Sequence, residues 1–442
     1  MAQRGIREYD AKRMLAKHWD KYFGDAFKYD FKAVLITPEY FDENGNMIPE
    51  KEEELLRENP WLKEMPLVAK PDQLFGKRGK NNLVLYKINK PGDVKWEDVK
   101  KWIGERINKE VTLHSGQKGK LTHFLVEPFV PHEEEYYVAM TTDMEGDKIF
   151  MSAFGGIDIE ENWDKVKEVF IPALAEDEEI EKLIKGNIPE EIKDKEKFAD
   201  FVKRLYNFFR DLHFAYLEIN PLAMNQNQVY PLDFVARLDD TAAFLVGDLW
   251  GDIEFPAPFG RDLTPEEKKI KEMDEKSGAS LKLTVLNPKG RIWTLVAGGG
   301  ASVVYTDTIA DLGYAKELGN YGEYSGNPTT NETYEYAKTV FDLMTREKDP
   351  EGKPKILIIG GAIANFTDVA KTFDGIIKAM QEYADKLKEV DVRIYVRRGG
   401  PNYEQGLKKI KEAAEKLGIP IKVFGPETHM TNIVKMALEE TK

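Results

Sequence analysis

The sequence predicts an α/β chain in two parts: a strand-rich α+β module, then a domain built on a doubly wound, parallel sheet. Three observations carry this expectation. β-rich apolar runs crowd the first half; a rhythm of strand, glycine turn and helix recurs four times in the last third; and residues 247–281, with Phe255-Pro-Ala-Pro-Phe259 and an acidic stretch of no clear period, have the composition of a connector. At 442 residues the chain is long enough for two or three domains. The expected division is 1–245, a connector at 246–280, and 281–442.

In the first module, alternating or apolar β-rich runs fall at 32–37, 67–70, 83–86, 121–130, 136–141, 149–154, 214–219 and 229–235. Residues 96–107 read as a helix. Phe198, Phe201, Val202, Leu205, Phe208 and Leu212 recur at helical spacing and predict another. Residues 160–195, rich in Glu, Asp and Lys, read as a solvated face.

In the second part, 292–297 leads into Gly298-Gly-Gly-Ala-Ser302 and a helix, and 355–359 into Gly360-Gly-Ala-Ile-Ala-Asn-Phe-Thr367 and a helix. The run 392–396 leads into Arg397-Arg-Gly-Gly-Pro-Asn402 and a third, and 421–424 into Gly425-Pro-Glu-Thr-His-Met430 and a fourth. Strands alternating with helices imply right-handed βαβ units and a parallel sheet. Such sheets bind ligands beyond the carboxyl ends of their strands, where all four turns would lie.

Composition narrows the function. Sixty-four basic against 78 acidic residues give a net charge of -14, which argues against nucleic-acid and anionic-membrane binding, so any phosphate must be held locally. The absence of cysteine excludes disulfides, thiol nucleophiles and Cys-ligated zinc. None of the six histidines forms an H-x-x-x-H pair, which disfavours a zinc hydrolase. With no signal-like apolar segment at the start and no apolar run of about 18 residues, a cytoplasmic location is expected.

The glycine turns carry the strongest chemical signal. Glycine lets backbone approach a ligand closely, and free amides at a helix start favour an anion. One such turn serves equally to pack strand on helix. Three converging turns with Asn365, Thr367 and Arg398 point to a carboxylate or phosphate site, with the guanidinium suited to two-pronged carboxylate recognition. Gly298-Gly-Gly-Ala-Ser-Val303 fails the dinucleotide fingerprint, and Gly116-Gln-Lys-Gly-Lys120 lacks P-loop spacing. In the first half, Lys70-Pro-Asp-Gln-Leu-Phe-Gly-Lys-Arg-Gly-Lys80 reads either as a loop covering polyphosphate or as a solvated hairpin. Asn220 and Asp233 stand at the ends of two apolar strands, as Mg²⁺ ligands or as ordinary turn residues.

Arg7-Glu-Tyr-Asp-Ala-Lys-Arg-Met-Leu15, Gly155-Gly-Ile-Asp-Ile-Glu160 and Glu218-Ile-Asn-Pro-Leu222 resemble the ATP-grasp β subunit of succinyl-CoA synthetase. A closer resemblance, over essentially the whole chain, is to the ATP-citrate lyase family. It rests on Ala69-Lys-Pro-Asp-Gln-Leu74, Val126-Glu-Pro-Phe-Val-Pro-His132, Trp250-Gly-Asp-Ile-Glu-Phe-Pro256, Lys276-Ser-Gly-Ala-Ser-Leu-Lys-Leu-Thr284, Asn287-Pro-Lys-Gly-Arg-Ile-Trp293 and Val396-Arg-Arg-Gly-Gly-Pro-Asn402. The resemblance implies an ATP-grasp module followed by a flavodoxin-like citrate-binding domain. It implies that Lys70, Arg78 and Glu127 hold ATP, and that Asn220 and Asp233 hold Mg²⁺. Citrate would be lined by Ser325, Gly326, Asn365, Phe366, Thr367, Tyr383 and Arg398, with Arg398 also catalytic and Asp158 meeting a phosphohistidine that visits the ATP site. The family's phosphorylated histidine, CoA site and citrate-synthase-like cleavage domain belong to a portion that this chain lacks. The expectation is therefore a subunit of a split enzyme that meets CoA only through a partner subunit. The large subunit of citryl-CoA synthetase, a non-catalytic citrate-binding regulator and a ligase of a smaller acid remain as alternatives.

Overall fold

The computed structural model describes residues 3–156 and 159–441. It separates into two compact units, one ending at Asp262 and the other beginning at Leu263.

The strands of the first unit are, in chain order, β1 (Gln3–Ile6), β2 (Val34–Ile36), β3 (Leu67–Pro71), β4 (Glu110–Thr112), β5 (Lys118–Lys120), β6 (Phe124–Pro128), β7 (Tyr136–Thr142), β8 (Gly146–Ser152), β9 (Lys167–Pro172), β10 (Phe214–Asn225), β11 (Gln228–Pro231) and β12 (Phe234–Asp239). One antiparallel sheet runs β1-β12-β10-β7-β8-β9 with β11 attached to β10; a second is β2-β6-β3; β4 and β5 form a hairpin. The helix Lys195–Asp211 is capped by Asp194, whose carboxylate accepts the Lys197 amide at 3.1 Å. Its apolar stripe, including Phe198, Phe201, Val202, Leu205 and Phe208, packs on β7 and β10 as the spacing predicts.

Two expected strands behave differently. Residues 83–86 form no strand, and only Leu85 bridges Ala69. The run 229–235 is divided between β11 and β12. Pro231 has no amide to donate, the Leu232 amide turns to the Pro221 carbonyl, and the Asp233 carbonyl accepts the Asn220 amide. The division places Leu232 and Asp233 outside the ladder.

The second unit contributes β13 (Ser280–Val285), β14 (Ile292–Ala297), β15 (Asn320–Ser325), β16 (Ile356–Gly361), β17 (Arg393–Arg397) and β18 (Ile421–Phe424). β14, β16, β17 and β18 pair in that order, all parallel. Alternation along the strands divides the core in two. Leu295, Leu357, Ile359 and Ile394 face the helices Thr330–Met344, Val369–Glu382 and Tyr403–Leu417. Ile292, Val296, Ile356, Ile358 and Tyr395 face Gly299–Ile309 and Asn432–Glu440. Helices on both faces of a parallel sheet make this the doubly wound domain expected. β13 and β15 form a separate antiparallel pair that no apolar run announces.

The expected connector is more ordered than its composition implies. It contains the end of the helix Ala243–Trp250 and the whole helix Pro265–Lys276. The latter begins with a capping box: Thr264 Oγ1 accepts the Glu267 amide at 3.2 Å, and the Glu267 carboxylate accepts the Thr264 amide at 2.9 Å. Thr264→Ala should lower the unfolding free energy by about 1 kcal/mol. Denaturant unfolding of the full chain, read at the transition of the second unit, checks it.

Candidate functional site

In the first unit, charged side chains converge where β3, β6 and the turn between β11 and β12 meet the helix Glu8–Lys17. That helix buries Ala11, Met14 and Leu15, but also Glu8 and Lys12. Glu8 is the hub. Its Oε1 lies 2.7 Å from both Lys12 Nζ and Lys70 Nζ, and its Oε2 lies 2.7 Å from Arg78 Nη2. Lys12 also donates to both oxygens of Glu127, at 2.7 and 2.8 Å, and Lys70 donates to the Leu232 carbonyl at 2.7 Å. Arg78 donates to the Pro71 carbonyl at 2.9 Å and pairs with Asp233. Burial alone would raise the Glu8 carboxyl, yet Lys12, Lys70 and Arg78 together hold it well below the usual carboxylate range. Three buried cations within reach of one another suit a polyphosphate, whose charge no single lysine could balance.

A cavity of about 320 Å³ adjoins this cluster. Lys12, Asp30, Lys32 and Glu127 are its charged lining, while Met65, Phe129, Val130 and Tyr230 supply apolar surface. Its volume is at the low end of the roughly 300 to 1,000 Å³ usual for small-molecule sites. A larger depression beside Glu178, Lys182 and Gly186 is lined by a single exposed helix and the glycine that ends it, and offers no comparable chemistry.

The metal expectation is compatible with the donor set. Among the described residues no group of three or more His, Asp or Glu side chains could hold a metal alone. Mg²⁺ does not require one, since it binds through one or two protein oxygens and completes its shell with phosphate and water. Asn220 and Asp233 are neighbours, with the Asn220 amide donating to the Asp233 carbonyl at 3.0 Å. Asn220 Oδ1 accepts the Gly156 amide at 2.6 Å, and a lone pair remains. The adjacent Glu218 carboxylate accepts the hydroxyls of Tyr216 and Tyr137 at 2.5 and 3.3 Å; burial raises its pKa against those bonds.

In the second unit the turns after β16 and β17 are locked together at the carboxyl edge of the sheet. The Ala364 amide donates to the Gly399 carbonyl at 3.0 Å and the Val369 amide to Pro401. Gly400 has φ +127°, and a Cβ there would lie 2.7 Å from the Ala364 Cβ, so only glycine permits this approach. Gly361 makes room for Arg398, whose Nη1 a Cβ would meet at 2.5 Å.

Arg398 is buried, donates from Nη1 to the Ala362 carbonyl at 2.6 Å, and leaves Nε without a partner. Among the described residues it has no carboxylate partner, and burial depresses its pKa. Six buried side-chain polar atoms lack a hydrogen bond among the described residues. Three of them, Arg398 Nε and the hydroxyls of Tyr305 and Tyr324, belong to side chains that interact electrostatically at this edge. The neighbouring Arg397 donates to the carbonyls of Thr428, Gly361 and Pro426. Two adjacent buried guanidiniums whose hydrogen bonds among the described residues all go to backbone carbonyls form a site that suits an anion.

Ser325 ends β15 and Gly326 follows it; nearby, Glu323 lies against Gly299 at the start of the helix after β14, and the Ser325 hydroxyl donates to Glu323 at 2.7 Å. Asn365 and Phe366 are exposed at the turn after β16, and Thr367 is buried beside them. The structure does not bring Tyr383 to this edge. It caps the far end of the helix Val369–Glu382, about 20 Å along that helix at 1.5 Å per residue. There its hydroxyl donates to Asp342 at 3.4 Å and its ring packs near Phe341. Asp158 lies outside the described residues. Sequence reasoning missed Glu8, Lys12, Tyr305, Tyr324 and Arg397 as site components; only the block from Arg7 to Leu15 contained a signal for the first two.

A buried cation cluster beside a small-molecule cavity, and an unpaired guanidinium at the carboxyl edge of a doubly wound sheet, define a protein that handles a polyphosphate and a carboxylic acid. Family comparison agrees. Residues 2–250 match the ATP-citrate synthase ATP-grasp domain, and residues 261–440 match the ATP citrate lyase citrate-binding family. ATP-citrate synthase alpha chain protein 1 of Arabidopsis thaliana is 49% identical over 440 residues, covering 99% of both chains. The Homo sapiens ATP-citrate synthase is 48% identical over 442 residues, but the match spans 38% of that longer protein. Among solved structures, ATP citrate lyase from Methanothrix soehngenii in complex with citrate and coenzyme A is 52% identical, with a TM-score of 0.86 over 99% of this chain and 100% of that one. A mutant Methanosaeta concilii ATP citrate lyase in complex with (3S)-citryl-CoA gives 50% and 0.85. The chain belongs to the ATP-citrate lyase family, as a subunit composed of an ATP-grasp domain and a citrate-binding domain.

Proposed function

We propose that this chain is the ATP- and citrate-binding half of a split ATP-citrate lyase. ATP in the first unit phosphorylates a histidine carried by a partner subunit, the phosphoryl group passes to citrate in the second unit, and CoA brought by the partner captures the citryl-phosphate before cleavage to acetyl-CoA and oxaloacetate. The observation that carries the reading is the buried guanidinium of Arg398, which has no carboxylate partner among the described residues. Citrate, with three carboxylates, answers that charge.

In this scheme Lys70, Arg78 and Glu127 bind the nucleotide and Asp158 receives the visiting phosphohistidine. Ser325, Gly326, Asn365, Phe366, Thr367 and Arg398 hold citrate, and Arg398 fixes one carboxylate for attack. Mg²⁺ at Asn220 and Asp233 would neutralise developing phosphate charge. The lyase reading is favoured over citryl-CoA synthetase because the relatives matching the whole chain are named ATP-citrate synthase or ATP citrate lyase. A separate partner is favoured because the match fills the plant alpha chain and the archaeal chain but only 38% of the human protein. The cysteine-free composition, and a lack of any helix long and apolar enough to cross a membrane among the described residues, support a cytoplasmic setting.

The purified chain should bind citrate and Mg-ATP in calorimetric titrations, bind succinate far more weakly, and form no thioester. Adding the second subunit should restore citryl-CoA and acetyl-CoA formation. CoA-dependent turnover by this chain alone would overturn the split-enzyme reading.

A further inference from the structure

Glu8 is a buried carboxylate in contact with three cations at 2.7 Å each. Neutralising it would take one. The helix that presents it has Arg7 at its N-cap with no side-chain capping bond, so its first amides would be orphaned. Asp72 supplies what is missing from 64 residues away: Oδ1 accepts the Glu8 amide at 2.8 Å and Oδ2 the Tyr9 amide at 2.9 Å. Asp72 directly follows Lys70 and Pro71, and the Pro71 carbonyl holds Arg78. One short stretch therefore delivers two of the cations and also clamps the helix that delivers Glu8 and the third, Lys12.

We propose that Glu8, held by Asp72, is a positioning residue of the phosphoryl-transfer site: it fixes Lys12, Lys70 and Arg78 as a preorganised cationic triad for the nucleotide phosphates. The inference rests on the reading that Lys70 and Arg78 bind ATP. Preorganisation matters because flexible lysines would otherwise have to be ordered during the reaction. Asp72 also gives the clamp a pH signature. Burial, then the Glu8 charge, push its carboxyl up to about 6, against the Tyr9 and Glu8 amides and Arg78, which lower it. Glu8 and Arg78 are the charged groups that face it. His123, whose carbonyl accepts the Asp72 amide, is kept neutral above about 4 by burial and Arg7. The clamp is thus ionised at neutral pH and weakens as pH falls through about 6.

The test uses the full chain with its partner subunit. Mg-ATP affinity is measured by calorimetry and partner phosphorylation by transfer of labelled phosphate, from pH 5 to 8. Glu8→Gln should raise the Kd for Mg-ATP at least tenfold and slow phosphoryl transfer at least as much, with partial recovery in Glu8→Asp. Asp72→Asn should bind more weakly at pH 7.5 and lose the wild-type decline in affinity near pH 6. An unchanged citrate Kd and an unchanged thermal transition show that each variant is folded; if Glu8→Gln does not fold, the pH profile of Asp72→Asn decides. Wild-type affinity and rate in both variants, or tighter Mg-ATP binding with normal transfer in Glu8→Gln, would overturn the positioning role alone. A wild-type chain that does not bind Mg-ATP would overturn the nucleotide reading on which it rests.

Discussion

Arg398→Ala weakens citrate binding by about 1.5 to 3 kcal/mol, roughly 10- to 150-fold, the range for hydrogen bonds to a charged group. The structure adds a second expectation. Without ligand, Arg398 is a buried cation with one unsatisfied Nε and no carboxylate partner among the described residues, so its removal relieves a desolvation cost in the free protein. Affinity and stability should therefore part company. The variant loses citrate affinity without losing stability in the absence of citrate, whereas loss of an ordinary buried ion pair would reduce both. Saturating citrate raises wild-type stability by about 2.7 kcal/mol at 100 times its Kd, and the variant at the same concentration should gain much less. Calorimetric titration combined with thermal unfolding, each with and without citrate, measures both quantities. Arg398→Lys should recover affinity only in part, because a point charge replaces the attraction but not the planar two-pronged geometry. An unchanged dissociation constant in Arg398→Ala would move the citrate site elsewhere.

The same arginine shows what the sequence could and could not reveal. The turn that carries it is legible because glycine pairs and a helix start are local signals, and all four parallel strands appear where strand, turn and helix alternate. β15, Asn320-Tyr-Gly-Glu-Tyr-Ser325, has no apolar run; it is a strand because β13 satisfies its backbone across six register positions. Tyr305 and Tyr324 read as ordinary core aromatics. Only packing places their hydroxyls next to Arg398.

In the first unit, Glu8 and Lys12 look like any solvated pair four residues apart on a helix. Burial and the arrival of Lys70 and Arg78 from β3 and its loop turn them into the centre of a site. Tyr383 shows the opposite case. Family resemblance assigns it to citrate, but helix rise carries it to the other end of the layer, beside Asp342. The connector hides its order because its capping box, Thr264-Pro-Glu-Glu267, is a start signal for a helix with little apolar periodicity behind it.

Asp233→Asn should reduce ATP-dependent phosphorylation of the partner histidine by at least about a thousandfold, corresponding to roughly 4 kcal/mol of lost transition-state stabilisation, and leave citrate affinity intact. The citrate ligands proposed above all belong to the second unit, so a substitution at Asp233 tests the nucleotide chemistry by itself. Two consequences follow from removing this one charge. A Mg²⁺ set with few protein oxygens loses its only carboxylate. Arg78 loses one of its two acidic contacts but keeps Glu8 and the Pro71 carbonyl, so the guanidinium should stay in place. The two effects are separable by varying the metal. If the carboxylate serves as a metal ligand, the variant requires far higher magnesium for residual transfer, and nucleotide binding without metal changes little. If Asp233 serves mainly to hold Arg78, metal-free nucleotide binding falls as well and added magnesium recovers nothing. Radiolabel transfer from ATP to the partner, titrated with magnesium in wild type and variant, distinguishes these outcomes. Near-normal phosphorylation at ordinary magnesium would remove Asp233 from the site altogether.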